Sequence, residues 1–359
     1  MLQPNGSAVD RQYFIGLNYL LNEQPDEAIE TFIRALEVNP ETVETHIAIG
    51  KLFCQRGDVE RAIKVHQNLL ARPSLTALQA DRVQLELARD YLAVGMHQRA
   101  ERLLEELAAS SSSLKAEALV DLVTVYEQQH EWQRAVEIGR RLLREQPSFG
   151  VTLAHYHCEM ALASLAQREV TQTRNWLQAA LRIDERCVRA LILLAELEER
   201  EGNLKALALL LQRIATNSPD FVPEVLALAL RCADNGALNL TEYLDQALAQ
   251  PGPAPVKTLL ARAQQMRREQ SGGAAEQFML QRLEGQPSVA GVLGLLALRD
   301  QGQAEEQRSA PLQLLAALQR KRPQYRCEGC GFSSHSLYWQ CPGCKGWSTI
   351  KPLKGHELA

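Results

Sequence analysis

Aromatic residues make up only 5% of the chain, too few for sheets built on aromatic and β-branched side chains. Apolar runs are also short. Nowhere does the sequence approach the roughly 20 residues that a membrane-crossing helix needs, and the opening MLQPNGSAVDR lacks the apolar centre of a signal peptide. No Gly-rich phosphate loop, serine nucleophile elbow or HExxH pair occurs, so no catalytic signature is recognisable. A net charge of -4 gives no global basic footprint, and nucleic acid is not expected as a partner. Before the last module cysteine is sparse: Cys54, Cys158, Cys187 and Cys232 stand singly in helical patterns and read as reduced, buried thiols. As given, the chain reads as soluble and cytoplasmic.

What is abundant is Leu, Ala, Glu, Arg and Gln within 46% hydrophobic content, a composition that favours helices packed through small and aliphatic side chains. The helices repeat. GLNYLLNEQPDEAIETFIRALEVNP from Gly16 and GKLFCQRGDVERAIKVHQNLLARPS from Gly50 share a Gly, an aromatic three residues later and an Ala nine beyond it, at an offset of 34 residues. That is the tetratricopeptide period, in which small residues mark the close approach of two antiparallel helices and aromatics fill the space beside them. Gly16, Tyr19, Ala28, Phe32, Ala35 and Pro40 complete the first unit. Gly50, Phe53, Gly57 and Ala62 mark the second, and Ala88, Tyr91, Gly95 and Ala100 a third, shifted by the stretch ARPSLTALQ. Tyr126, Ala135 and Pro147, then Leu177, Ala180 and Leu181, then Gly202 with Pro219 mark three weaker ones. The expected fold class is therefore all-α: a tetratricopeptide-repeat superhelical solenoid at 9–220, about six units long, after an N-terminal stub at 1–8. Degenerate helical repeats follow at 221–320. A stack of helix pairs makes a binding groove rather than a catalytic pocket. His155 and Cys158 of AHYHCEM share a helix face and read as packing, as do Trp132 and Trp176.

The last segment, 321–359, has a different chemistry. Cys327, Cys330, Cys341 and Cys344 form C-x2-C-x10-C-x2-C, with Gly331, Pro342, Gly343 and Gly346 placed to turn backbone amides toward sulfur. Two such knuckles present four thiolates to one iron or zinc ion in a tetrahedral, closed site, which excludes hydrolytic chemistry at the metal. So short a segment cannot bury a sufficient core alone, so the metal supplies much of its folding free energy. Phe332, Tyr338, Trp339 and Trp347 can either cover the metal or dock the module onto the helices. From Arg320 onward there are seven Lys/Arg against Glu328 and Glu357, which reads as a solvated tail or as a contact for anionic lipid, an acidic partner or nucleic acid.

The combination of repeats with YRCEGCGF, LYWQCPGC and GWSTIKP resembles the lipopolysaccharide assembly protein B family, over essentially the whole chain from about Arg11. The resemblance implies a rubredoxin-like domain whose metal ligands are Cys327, Cys330, Cys341 and Cys344, packed against the repeats. It implies a non-enzymatic adaptor at the cytoplasmic face of the bacterial inner membrane that limits lipopolysaccharide synthesis. The implied partners are the membrane ATP-dependent protease FtsH, the deacetylase committing precursors to lipid A, and other lipopolysaccharide assembly proteins. Family members begin with one transmembrane helix, where this chain has MLQPNGSAV. The expectation is that the anchor has been removed from this form of the chain or lost to a different start, the alternative being a soluble member. Two other functions share the four-cysteine signature: rubredoxin-like electron transfer, and nucleic-acid binding by a zinc ribbon of the kind found in a bacterial recombination ATPase.

Overall fold

The computed structural model describes residues 15, 18, 19, 31, 43–110, 113–270, 272–299 and 310–355. Gly16, Ala28, Phe32, Ala35 and Pro40 of the first repeat, and the stub at 1–8, lie outside the described residues, whereas Tyr19 is helical. The chain divides into two compact units, Met1–Pro147 and Ser148–Ala359.

In the first unit three helix pairs follow one another: α1 (Val43–Gln55) with α2 (Val59–Leu70), α3 (Ala77–Ala93) with α4 (His97–Ala109), and α5 (Lys115–Gln128) with α6 (Trp132–Glu145). The second unit continues the plan with α7 (Gly150–Ala166) and α8 (Val170–Ile183), α9 (Val188–Arg200) and α10 (Leu204–Asn217), α11 (Val222–Asp234) and α12 (Leu240–Leu248), and α13 (Val256–Glu269) and α14 (Gly272–Gly285). Helices α15 (Val289–Arg299) and α16 (Ala310–Arg320) lead into strands β1 (Tyr325–Cys327), β2 (Ser333–Ser334) and β3 (Ile350–Pro352), an antiparallel sheet in the order β2-β1-β3. Val188, Val222 and Val256 open first helices at intervals of 34 residues, so the period persists where the residue signature has faded. Among the described residues no helix is long and apolar enough to cross a membrane.

The first six hairpins turn by the same device. The first helix ends in a left-handed residue, at Gly57, Gly95, His130, Arg168, Gly202 and Gly236 in turn, with φ from 57° to 84°. The next residue's N–H then reaches back five positions: Asp58 to the Phe53 carbonyl, Met96 to Tyr91, Glu131 to Tyr126, Glu169 to Ser164, Asn203 to Glu198 and Ala237 to Cys232, at 2.8–3.1 Å. This six-to-one bond satisfies a carbonyl that the helix end leaves open and reverses the chain within two residues.

Seven residues before each left-handed residue stand Gly50, Ala88, Val123, Ala161, Ala195 and Ala229, all buried. A Cβ at Gly50 would lie 2.3 Å from the His66 ring, which is itself buried and 2.5 Å from Asp90 Oδ2. Five residues after the turn the helix crossing carries Ala62, Ala100 and Ala135, then the larger Thr173 and Leu207. The aromatic slot follows the same course. Phe53, Tyr91 and Tyr126 lie under the guanidinium groups of Arg61, Arg99 and Arg134 at 5.4–5.6 Å, an arrangement worth about 0.5–1 kcal/mol each. In the α9 repeat the slot holds Glu198 instead, and its buried carboxylate accepts from Arg174 Nε at 2.8 Å and Asn203 Nδ2 at 2.9 Å. The tetratricopeptide architecture therefore survives the loss of its signature because each missing group is replaced by one that meets the same steric or polar requirement.

The left-handed positions make opposite predictions. A non-glycine side chain costs about 1 kcal/mol in that conformation. Arg168→Gly is therefore expected to raise stability by about 1 kcal/mol and Gly202→Ala to lower it by about as much, read as opposite shifts of the denaturant midpoint.

Candidate metal centre

The two C-x2-C segments fold into matching turns. Cys327 N–H donates to the Phe332 carbonyl at 2.7 Å and Gly331 N–H to the Cys327 carbonyl at 3.0 Å. In the second turn Cys341 N–H donates to the Gly346 carbonyl and Lys345 N–H to the Cys341 carbonyl, both at 2.9 Å. Gly331 (φ 76°) and Lys345 (φ 59°) occupy the same left-handed position one residue past the second cysteine of each pair. The sequence marks the first with glycine but disguises the second as an ordinary lysine.

The turns bring the four sulfurs to within 4.8 Å of one another. Cys327 and Cys344 Sγ are 3.7 Å apart, Cys330 and Cys341 Sγ 3.6 Å. Thiolates bound at about 2.3 Å around a tetrahedral ion would be about 3.8 Å apart, so the donor set fits a metal ion with four protein ligands and no open position. Glycines make the room. A Cβ at Gly343 would come 3.3 Å from Cys330 Sγ, and one at Gly329 3.6 Å from Cys344 Sγ.

Electrostatics point the same way. The Thr349 hydroxyl, 3.3 Å from Cys327 Sγ, stabilises that thiolate, and the amides of Cys330 and Gly329 assist, lowering Cys327 to about 6. At Cys330 the Phe332 amide acts downward, but desolvation and the neighbouring sulfurs outweigh it and push the thiol up to about 11. Four sulfurs this close resist becoming four anions, and a divalent cation removes that resistance.

Cys327 and Cys341 are buried with Tyr325 and Ile350 in the module's small core, and Phe332 and Leu337 pack against it. Of the four aromatics, Phe332 thus serves the interior, while Tyr338 is 45% exposed and meets the Phe332 ring edge-on at 6.5 Å. The two tryptophans face outward onto the helices. Trp347 stacks on His155 of α7 at 4.9 Å, meets Tyr156 edge-on at 5.9 Å and lies under the Arg189 guanidinium of α9 at 5.8 Å. Trp339 stacks on Phe221 at 5.9 Å with 14° between the planes. Polar contacts flank these stacks. His155 Nε2 is 2.6 Å from Ser348 Oγ, Tyr325 Oη donates to Glu224 at 2.8 Å, Lys354 pairs with Asp220 at 2.9 Å, and Val256 N–H donates to the Lys354 carbonyl at 2.9 Å. Lys354 and Lys351, the latter over the Phe221 ring at 5.7 Å, are thus held against the helices rather than in a solvated tail.

His155 is buried among docking groups and has no part in the sulfur cluster. In the sequence His155 reads as packing, because a docking surface cannot be told from core packing when its partner lies 193 residues away. Trp176 is half-buried beside the α7–α12 core and 5.4 Å from His157, and Trp132 is half-buried with His130 against its edge. Phe221 and Glu224 carried no sequence signal beyond their place after Pro219.

Burial first, then Arg189 and Lys351, lower His155 to about 3. In the unfolded chain it takes up a proton below about pH 6.5. The native state does not, so this residue's contribution is present above pH 6.5 and is lost as acid drives protonation of the unfolded state. His155→Gln is expected to remove about 1 kcal/mol of the stability difference between about pH 7 and pH 5.5, measured as the mutant-minus-parent change in unfolding free energy.

Residues 325–352 match the family described as a rubredoxin metal binding domain, and 15–74 and 85–148 match the tetratricopeptide repeat. Lipopolysaccharide assembly protein B of Escherichia coli (strain K12) is 30% identical over 360 residues, covering 98% of this chain and 92% of that protein. Its counterpart in Haemophilus influenzae (strain ATCC 51907 / DSM 11121 / KW20 / Rd) is 30% identical over 365 residues, at 97% and 91% coverage. Among solved structures, a tetratricopeptide repeat protein from Parabacteroides merdae aligns at 15% identity over 72% of this chain and 100% of its own, with a TM-score of 0.35. By identity along nearly its whole length, the chain belongs to the lipopolysaccharide assembly protein B family.

Proposed function

We propose that this protein is a non-enzymatic adaptor that regulates lipopolysaccharide biosynthesis by controlling degradation of the lipid A committed-step deacetylase through the membrane protease FtsH. In this reading the repeats at 9–220 and the helices at 221–320 hold protein partners, and the module at 321–359 sets the shape of the surface they meet. The protein works at the cytoplasmic face of the inner membrane.

The observation that carries the reading is the docking of the four-cysteine module. Its tryptophans, Tyr325 and the chain after β3 are engaged with helices α7, α9, α11 and α13 and with the turn Pro219–Phe221, fixing one face of the second unit. Cys327, Cys330, Cys341 and Cys344 would hold one iron or zinc ion, which when bound supplies charge neutralisation and a cross-link rather than an open coordination site. Thr349 and the knuckle amides hold the thiolates, and Gly329 and Gly343 keep the ligand cage clear of side chains.

Pull-down from the native cells tests the proposal, comparing the parent with the Cys327→Ser, Cys330→Ser double variant by quantitative mass spectrometry. The protease and the deacetylase are expected to be enriched with the parent and lost with the variant, whose bound metal falls from about one equivalent to background. Deleting the chain is expected to lengthen the deacetylase half-life. An unchanged half-life overturns the adaptor role.

A further inference from the structure

Between the four-cysteine module and the helix ends at Arg186–Val188 and Asn217–Phe221 lies a cleft of about 830 Å³. Its charge runs against that of the chain, which is -4 overall. Arg186, Arg326, Lys351 and Lys354 line it, against Asp220 and Glu328. Lys354 is taken by Asp220 at 2.9 Å. Arg186, Arg326 and Lys351 form no ion pair among the described residues, although acids outnumber bases in the sequence 43 to 39. Three cations thus line the cleft from both walls with no acidic partner among the described residues, Lys351 lying also over the Phe221 ring.

The floor is apolar. The half-buried Trp339 lines the cleft, backed by the buried Phe221 on which it stacks and by the buried Ile350. A ligand that matches both features carries carboxylates spaced around one apolar side chain. A nucleic-acid backbone or a lipid headgroup layer brings a dense row of phosphates, some of which would meet Glu328 and Asp220, whereas a peptide can place carboxylates at the three cations and uncharged residues beside the two acids. We infer that this cleft binds an acidic peptide segment of a protein partner, with Arg186, Arg326 and Lys351 taking its carboxylates and the half-buried Trp339 receiving an apolar anchor. The inference rests on the adaptor reading and names the chemistry of one partner contact; charged clefts of this kind set partner choice and encounter rate more than raw affinity.

A phage-displayed library of random peptides, selected on the full-length metal-loaded chain, tests it directly. Enriched peptides are expected to be acidic with one apolar or aromatic residue. Their binding is expected to weaken about tenfold or more in Arg186→Glu, Arg326→Glu, Lys351→Glu, and in step with added salt. Because Lys351 lies over Phe221, the milder pair Arg186→Gln, Arg326→Gln is measured beside it, with metal content and unfolding midpoint as checks that the module stays docked; this pair is also expected to weaken binding. Neutral or basic consensus peptides, peptides that bind the variants as well as the parent, or no enrichment overturn the inference. So does preferential binding of an oligonucleotide or of anionic vesicles at the same three residues. If the pull-down of protease and deacetylase persists while these tests fail, only the cleft assignment falls; if the pull-down fails while acidic peptides bind, the adaptor's named partners fall.

Discussion

The two indoles of the C-terminal module carry more apolar surface than so small a unit can cover, and its place on the helices follows from that constraint. Its own core holds Tyr325, Cys327, Cys341 and Ile350, with little room for more. Trp339 and Trp347 must leave water by finding surface elsewhere, and each fully buried aromatic of this size gains on the order of 2–3 kcal/mol. Phe221, Tyr156 and the neutral His155 provide it. The metal site and the docking surface are thereby one mechanical object: β3 begins beside Thr349, which steadies Cys327, and runs through Pro352 into the segment that ties onto α13.

Much of this was legible in the sequence, and the parts that were not share a physical reason. The first repeats announce themselves because Gly50, Phe53, Gly57 and Ala62 are each the simplest answer to a steric demand. Where the chain answers the same demand differently, the signature fades although the geometry does not. His130 and Arg168 adopt the left-handed conformation without being glycine, Thr173 and Leu207 occupy a crossing usually given to alanine, and a Glu198–Arg174 pair fills an aromatic's slot. Propensity arguments assign a residue its commonest conformation, and tertiary packing is free to override that by about a kilocalorie per mole.

The cysteine module was read more fully, because ligand spacing leaves few alternatives once two knuckles face each other. Even there Lys345 hid its backbone state, and the choice between covering the metal and docking the module divided residue by residue: Phe332 inward, Trp339 and Trp347 outward. Only the placement of the partner surface could decide it. The basic stretch had the same ambiguity, and three of its seven cations prove to be held in place: Lys354 in an ion pair with Asp220, Lys351 over the ring of Phe221 and Arg326 in the wall of a cleft.

The separation in sequence between the docked partners has a consequence for how the protein is made. Repeats fold through contacts with their immediate neighbours and can form as they leave the ribosome. The contact from His155 to Ser348 closes a span of 193 residues, and that from Glu224 to Tyr325 one of 101. At ordinary translation speeds the first of these waits about 10–40 seconds for its partner to be synthesised. During that interval the ring faces of His155 and Phe221 stand open, accessible to any chaperone that recognises exposed aromatic surface. A chain truncated before its last knuckle keeps them open for good, so the covered face distinguishes a completed molecule from a fragment.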